Sequence, residues 1–463
     1  MGLLYLKLPK SKDYVVYLPD SIRYFRINEH TKKFFEEIET GTEYNELHNR
    51  YNISENDFNS ILKLLNEKIE CSDLENTGYI SRLTINLTNC CNLQCRYCYA
   101  HGGSYNCKSD FMTKETAKQV IDRFAEKFNN IYMIQFFGGE PLLNPDVFEF
   151  LCTYIIEQSN KGILNPGIGE RPRLVLMTNF SVVDDRILNI IKKYSVNVTV
   201  SIDGPECINS LTRPMKNGYS HADVVKENIE RLRQATDGQQ PQLIEATYTR
   251  LHMEKGISPV DVIRYFKNEF GVERVHLLPA MVPEESDCRI SDYSVLTDAA
   301  AEIISEMKKG NNYCFDKIED NFVRLKMRSK PKRFVCDAGQ SQYSVSTDGD
   351  IYPCYALAGD ESLIMGNIYD DVFHSKRYIT QRKKYAEKDR LLSEPCKSCF
   401  GKMLCHGCMA IYKSLGNEMF TPAETVCKTF LNILKMTIVY LAEQEKQCAD
   451  LTNIAWKLKD EHQ

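Results

Sequence analysis

The chain has 463 residues, with 58 Lys plus Arg against 63 Asp plus Glu, 43% hydrophobic residues and 18 cysteines. That length sets a prior of about three domains, and the apolar fraction of an ordinary globular protein excludes disorder, collagen and coiled coil. A formal net charge of -5 argues against a broad basic nucleic-acid surface, so no nucleic-acid partner is expected.

No run reaches the roughly 20 uninterrupted apolar residues needed to span a bilayer. Phe430 to Ala442 is broken by Asn432 and Lys435 and reads as a buried amphipathic helix. The N-terminus lacks a long apolar signal core, and Leu6 stands where a myristoylation motif wants Ser or Thr. The expected location is cytoplasmic, with no membrane partner. In a reducing cytosol 18 cysteines in a chain this long are not a disulfide framework, so clustered ones should hold metal or do chemistry.

Residues 1–78 read as a small separate unit. Short β-like runs at Tyr5 to Leu8, Tyr14 to Leu18 and Ile22 to Ile27 precede helical patterns at Thr31 to Ile38, Glu43 to Tyr51 and Glu55 to Lys68, the last with Ser54 as N-cap. This order suggests a winged helix-turn-helix. Glu55, Asp57 and Glu67 offset Lys63 and Lys68, so a basic recognition helix is missing and peptide docking is favoured over DNA binding.

From Arg82 to about residue 325 strands and helices alternate, which predicts a parallel α/β domain. The strands are Leu83 to Asn89, Tyr132 to Phe137, Arg173 to Thr178, Asn197 to Ile202, Leu243 to Thr249 and Val275 to Pro279. Helices are predicted near Lys114 to Phe128, Asp146 to Gln158, Asp184 to Lys193, Ala222 to Gln234, Pro259 to Asn268 and Thr297 to Lys308. Six βα units suggest an open, partial (β/α)6 barrel over residues 79–325. In residues 326–463 periodicity gives way to cysteines, Gly and Pro, the look of a metal-stapled domain that ends in helices.

Directly after the first barrel strand stands Cys91-Asn-Leu-Gln-Cys95-Arg-Tyr-Cys98. Three thiolates within eight residues can hold three irons of a 4Fe-4S cube and leave the fourth iron open for a substrate or cofactor. A three-ligand zinc site is the plainer reading of the triplet alone. With the aromatic Tyr97, the Cys-x3-Cys-x2-Cys spacing resembles the radical S-adenosylmethionine (SAM) enzymes. The other elements of that family follow in order: Gly138-Gly139-Glu140-Pro141, Thr178-Asn179, Ser201-Ile202-Asp203-Gly204-Pro205, and Arg213-Pro214.

The resemblance implies that SAM binds the open iron, and that one electron from the reduced cluster yields a 5'-deoxyadenosyl radical that abstracts hydrogen from an unactivated carbon. Gly138 and Gly139 would let backbone carbonyls approach the SAM ammonium closely. Arg213 would pair with its carboxylate, Asn179, Ser201 and Asp203 would offer polar groups to carboxylate and ribose, and Tyr97 and Leu278 would border the adenine. Glu140 and Pro141 complete the cofactor-binding set. Cys90 precedes the triplet spacing and is not expected to ligate.

Downstream come Cys336, Cys354 (in Asp348-Gly349-Asp350-Ile351-Tyr352-Pro353-Cys354), Cys396-x2-Cys399-x5-Cys405-x2-Cys408, and Cys427. Two Cys-x2-Cys pairs read alone suggest zinc, but the five-residue spacer is short for a zinc finger and seven cysteines exceed one tetrahedral set. After a radical SAM core they resemble a SPASM domain with auxiliary 4Fe-4S clusters, for three clusters in all. The resemblance assigns Cys396, Cys399, Cys405 and Cys427 to an outer cluster and Cys336, Cys354 and Cys408 to an inner one. The family's further cysteine, six residues before Cys336, is here Lys330. The inner cluster is therefore expected to keep an open iron unless Cys314 folds back to it. Tyr355 stands where sulfatase-maturing relatives carry an Asp, which weakens a formylglycine-forming reading.

The first unit, with Tyr24-Phe25-Arg26-Ile27-Asn28-Glu29, resembles the PqqD-like leader-recognition element of peptide maturases. Together the three parts look like a radical SAM/SPASM maturase of a ribosomally made precursor peptide, served by a reductase or a flavodoxin- or ferredoxin-type electron donor. The loop Cys98-Tyr-Ala-His-Gly-Gly-Ser-Tyr105 most resembles the thioether-forming ranthipeptide and sactipeptide maturases. The alternatives are a maturase of the same architecture that joins carbon to carbon or oxidises a side chain and, from another class, an iron-sulfur electron carrier or DNA-binding redox sensor. A sensor has no need of Gly138 to Pro141 or Arg213.

Overall fold

The computed structural model describes residues 2–448, apart from 72–77, 109, 129, 166–168, 170, 312, 332, 388 and 446–447. The chain opens with a three-stranded antiparallel sheet, β1 (Leu4–Lys7), β2 (Tyr14–Leu18) and β3 (Arg23–Ile27), in that spatial order. Three helices follow: α1 (Glu29–Glu39), α2 (Tyr44–Tyr51) and α3 (Glu55–Leu65). The Asn28 side chain accepts from the Thr31 N–H at the start of α1, and Ser54 accepts from Asp57 at the start of α3, so both helices begin at oxygen-bearing caps.

The first unit is not free-standing. Along β2 and β3 the residues alternate between two cores. Val16, Leu18, Phe25 and Ile27 pack on Phe34, Phe35, Leu47 and Ile61 of the unit's own helices. Val15 and Tyr17 pack on Met403, Leu404, Leu434, Ile438 and Leu441 from the far end of the chain. The unbroken apolar run of β2 is therefore that of a strand buried on both faces.

The central body is one ten-stranded sheet. Its strands in chain order are β4 (Arg82–Thr88), β5 (Met133–Gly138), β6 (Arg173–Thr178), β7 (Asn197–Ser201), β8 (Leu243–Tyr248), β9 (Arg274–Pro279) and the short β10 (Cys314–Phe315). All seven are parallel neighbours in sequence order. The helices between them cover one face: α4 (Lys114–Lys127), α5 (Pro145–Asn160), α6 (Asp185–Tyr194), α7 (Glu206–Thr212), α8 (His221–Ala235), α9 (Pro259–Phe270) and α10 (Ser294–Lys308). Ile244, Ala246 and Tyr248 of β8 are buried toward these helices, while Glu245 and Thr247 face the inside of the open barrel.

The sheet runs on past β4, which the sequence did not suggest. Helix α11 (Asp316–Met327) leads back to β11 (Gln342–Val345), which pairs parallel with β4, Arg82 opposite Gln342. Strands β12 (Asp350–Tyr352) and β13 (Gly366–Asn367) then add antiparallel. The sheet thus crosses the position at which the sequence divides barrel from cysteine-rich domain. Helices α12 (Lys376–Ala386), α13 (Met409–Ser414) and α14 (Glu424–Gln444) complete the chain. By length and composition α14 is apolar enough to cross a membrane. Its Leu434, Ile438 and Leu441 are instead buried against the N-terminal sheet.

Candidate functional site

Strand β4 ends at Thr88, and the loop after it carries Cys91, Cys95 and Cys98. Its backbone is pinned to the segment after α7: Gln94 N–H donates to Pro214 O at 2.9 Å and Arg96 N–H to Thr212 O at 3.0 Å. On the other side the glycine pair at the end of β5 lies directly against it. A Cβ on Gly139 would stand 2.1 Å from Cys90 O, and one on Gly138, at φ +135°, would stand 2.2 Å from Thr88 O. No side chain fits either place.

The three cysteines open on a cavity of about 160 Å3. Of the positions expected to bind SAM, Tyr97, Gly138, Gly139, Asn179, Ser201, Arg213 and Leu278 line it, while Glu140, Pro141 and Asp203 do not. Glu140 and Asp203 hold the others in place. Glu140 is buried, and its carboxylate accepts from Thr178 Oγ1 (2.6 Å), Leu142 N (2.9 Å) and Asn179 N (2.8 Å), tying the glycine turn to the end of β6. Burial raises its pKa to about 7. Asp203 accepts from the Tyr97 hydroxyl (2.7 Å), Arg213 Nε (2.9 Å) and Thr247 N (3.0 Å). Burial opposes its charge, but Arg213 together with hydrogen bonds from Thr212 and the Thr247 N–H outweighs that and holds the carboxyl below its usual range.

With Nε engaged, the rest of the Arg213 guanidinium borders the cavity, its Nη1 at 4.0 Å from Cys95 Sγ. Asn179 Nδ2 lies 3.9 Å from Cys91 Sγ. Behind them His221 receives from Asn209 Nδ2 at 2.8 Å and donates from Nε2 to Asn179 O at 2.8 Å, the neutral tautomer with the proton on Nε2. Burial pushes the thiols of Cys91 and Cys95 up to about 11 and about 12. Such thiols hold their protons until a metal takes the sulfur, so desolvated, clustered cysteines fit an iron-sulfur cluster.

Sequence reasoning missed Glu245, Thr247, Phe137, Met177 and Met281 in this cavity. The first two were legible as the alternate, inward positions of a strand whose other face is Ile244, Ala246 and Tyr248. Tyr99 and Tyr105 also line it, their rings 6.2 Å apart, and Tyr105 donates to Gly138 O at 3.2 Å. Beyond them, Tyr355 packs edge-on against Phe137 at 5.0 Å and receives the Arg82 guanidinium at 5.1 Å from its ring centre.

Cys336, Cys354 and Cys408 come together next to Tyr355. Cys336 and Cys354 share one apolar cluster, and Cys354 and Cys408 another. Burial, with Cys408 and Cys354 adding, pushes the Cys336 thiol up to about 12. Cys314 does not close this set. It lies in β10, at the edge of the sheet opposite β11 to β13, with its thiol against Glu319. Lys330 lies at the surface, 3.7 Å from Glu70. The other four cysteines, Cys396, Cys399, Cys405 and Cys427, line one cavity with Val335, Tyr412, Phe430 and Leu431. Among the described residues no group of His, Cys, Asp or Glu is drawn onto a single metal-ion point. The four cysteines thus border one space, where their thiolates could hold an iron-sulfur cluster.

Two family models match the chain. Residues 85–239 match the radical SAM superfamily, and residues 336–400 match the SPASM iron-sulfur cluster-binding domain. The chain therefore carries a radical SAM domain followed by a SPASM domain.

It is similar to an uncharacterized Methanocaldococcus jannaschii protein, MJ0907, with 39% identity over 139 residues. That match covers 30% of this chain and 44% of the archaeal protein. The radical SAM cyclopropyl synthase TigE of Paramaledivibacter caminithermalis is 24% identical, over 82% of this chain and 78% of its own. Among solved structures, anSMEcpe with bound AdoMet and the Cp18Cys peptide superposes with a TM-score of 0.62 at 20% identity, covering 81% of this chain and 99% of that one.

Proposed function

We propose that the protein modifies a ribosomally made precursor peptide, joining a cysteine sulfur to a backbone or side-chain carbon as a thioether. SAM at the first cluster, when bound, supplies abstraction of hydrogen from an unactivated carbon. Arg213, Asn179 and Ser201 hold the methionyl and ribose groups, Gly138 and Gly139 leave room for the ammonium, and Tyr97 and Leu278 flank the adenine. Glu140 and Asp203 orient these side chains without touching SAM. Residues 1–78 act as the leader-recognition domain, a winged helix-turn-helix whose sheet edge takes up the leader as an added strand.

The observation that carries the thioether is the inner set of cysteines. Three half-buried cysteines meet beside Tyr355, while Cys314 and Lys330 lie elsewhere. A fourth ligand position is left for an outside thiolate, which a precursor cysteine fills. The structure of a peptide-bound relative with the same fold supports a peptide partner. TigE is named a cyclopropyl synthase, and carbon-to-carbon joining is the second reading.

The test uses anaerobically reconstituted enzyme and the cysteine-containing peptide encoded by a short reading frame beside the gene. A thioether leaves a product 2 Da lighter per bond whose cysteine resists alkylation, and the Cys→Ser peptide gives none. A modified product whose cysteines still alkylate fully removes the thioether and leaves the carbon-joining reading.

A further inference from the structure

Four positions on the inner face of the barrel stand in one row across the sheet. Ser201 of β7 lies opposite Glu245 of β8, and Glu245 lies opposite His276 of β9. Asp316 comes next, directly after β10, whose Phe315 pairs with Val275. Residues level with one another in parallel strands point to the same side of a sheet. His276 therefore shares the face on which Ser201 and Glu245 line the cavity of the cysteine triplet.

His276 Nδ1 is 2.7 Å from Asp316 Oδ2, and the side chain keeps 36% of its surface exposed. Its Nε2 has no hydrogen-bond partner among the described residues, and neither does the Glu245 carboxylate beside it. An imidazole fixed at one nitrogen by a carboxylate and open at the other is the arrangement of a general base. Burial acts to lower the ring's pKa, but Asp316 outweighs it and, with Glu245, raises it above the usual histidine value. Lys317 acts against this from the first turn of α11, and Asp320 stands one turn further along, exposed. A raised histidine comes closer to a cysteine thiol, at about 8.5, than a carboxylate at about 4.3 does. The inner cysteine set borders the same space. Tyr355, next to Cys354, packs on Phe137, which lines the cavity together with Glu245. Glu245 is the strongest charge acting on the Tyr355 hydroxyl and also acts on His276, so it links the two.

On the thioether reading given above, we propose that His276, held by Asp316, is the general base that takes the proton from the precursor cysteine as its sulfur binds at the inner set. The S–H bond breaks, the electron pair stays on sulfur as the thiolate, and the proton goes to Nε2. No oxidant or reductant takes part. The imidazolium so formed has a carboxylate on either side, Asp316 and Glu245, which offset its charge until the proton leaves past the exposed Asp320.

The experiment is a calorimetric titration of the anaerobically reconstituted, SAM-free full chain with the cysteine-containing peptide. Run at pH 7.5 in buffers of different ionisation enthalpy, it counts the protons that binding releases. In H276A and H276Q about one proton per peptide should reach the buffer, because the free thiol is mostly protonated at that pH. The wild type should release fewer, the ring keeping the rest. Iron content should hold in both variants, and the Cys→Ser peptide should release none. Thioether formation by H276A is expected to fall at least about 100-fold and to recover in part with added imidazole, which the half-exposed position admits. A ring that only ties β9 to α11 gives neither the difference in proton count nor the rescue. Equal release by wild type and both variants overturns the inference and leaves the thioether reading standing. Release of about one proton by E245Q, with H276A like the wild type, overturns it in favour of Glu245. A product whose cysteines still alkylate fully removes the thioether, and this inference with it.

Discussion

Arg213 donates its Nε–H to the Asp203 carboxylate at 2.9 Å, and both side chains are buried. The same carboxylate takes the Tyr97 hydroxyl, so one buried charge positions two of the side chains that border the cofactor cavity. Removing one partner of a buried pair leaves the other uncompensated and costs about 3–5 kcal/mol. D203N should lower the denaturation midpoint strongly and weaken SAM binding, although Asp203 itself does not line the cavity. Equilibrium binding of SAM to reconstituted enzyme checks the second effect, and an unchanged affinity would show that Tyr97 and Arg213 hold their places alone.

Glu140 makes stability fall with rising pH. Burial raises its pKa from 4.5 to about 7, so between those values the folded state binds more protons than the unfolded one. Its contribution is complete below about pH 4.5 and is lost as pH rises through about 7, up to about 3 kcal/mol. E140Q should flatten the decline in melting temperature between pH 5 and pH 7.5, read by anaerobic thermal scanning.

His221 works in the opposite sense. Burial, with Arg213 adding, depresses its pKa from 6.5 to about 4, so the folded state keeps the ring neutral. Stability from this residue is complete above about pH 6.5 and is lost as pH falls toward about 4, again up to about 3 kcal/mol. H221Q should remove this acid-side loss while leaving the Glu140 slope in place. Thermal scans of the two single variants therefore separate trends that partly cancel in the wild type.

Gly139→Ala places a methyl group 2.1 Å from Cys90 O, and the obstacle is backbone, which cannot swing aside. The loop of Cys91, Cys95 and Cys98 must move if the turn is to survive. Reconstituted G139A should bind about four fewer irons and form no 5'-deoxyadenosine. Gly2→Ala, where an added Cβ meets nothing within 4 Å and the backbone is not left-handed, controls for the loss of a glycine as such. Full iron content in G139A would mean that the loop and the glycine turn are not locked together.

Much of the barrel was written locally. Strand Arg173–Thr178 was legible to the residue, and in the first unit Ser54 announced its helix by a side chain that accepts a free N–H, whereas the caps at Asp184 and Ser258 emerged only in the structure. The cysteine triplet and the glycine turn were legible because their chemistry demands fixed spacing. The pairing of β11 with β4 was not, since neither segment carries a mark of a partner 260 residues away. Nor did the motif around Glu140 and Asp203 show that these carboxylates turn away from the cavity, because that depends on donors arriving from β6, α7 and β8. Cys314 was open to either side of the sheet until its strand was placed at the far edge.

The pairing of Arg82 with Gln342 and the seating of Val15 and Tyr17 on Leu434 and Ile438 set the order in which a growing chain is able to finish. When the first barrel strand leaves the ribosome its outer edge is bare, and it stays bare while some 260 further residues are made, at about 5–20 residues per second. One apolar face of the N-terminal sheet waits longer still, for the last long helix. Unpaired edges and uncovered apolar faces invite association with other chains. Expression at lower temperature or with added chaperone should therefore raise the soluble yield of the whole chain, and truncation before residue 424 should lower it.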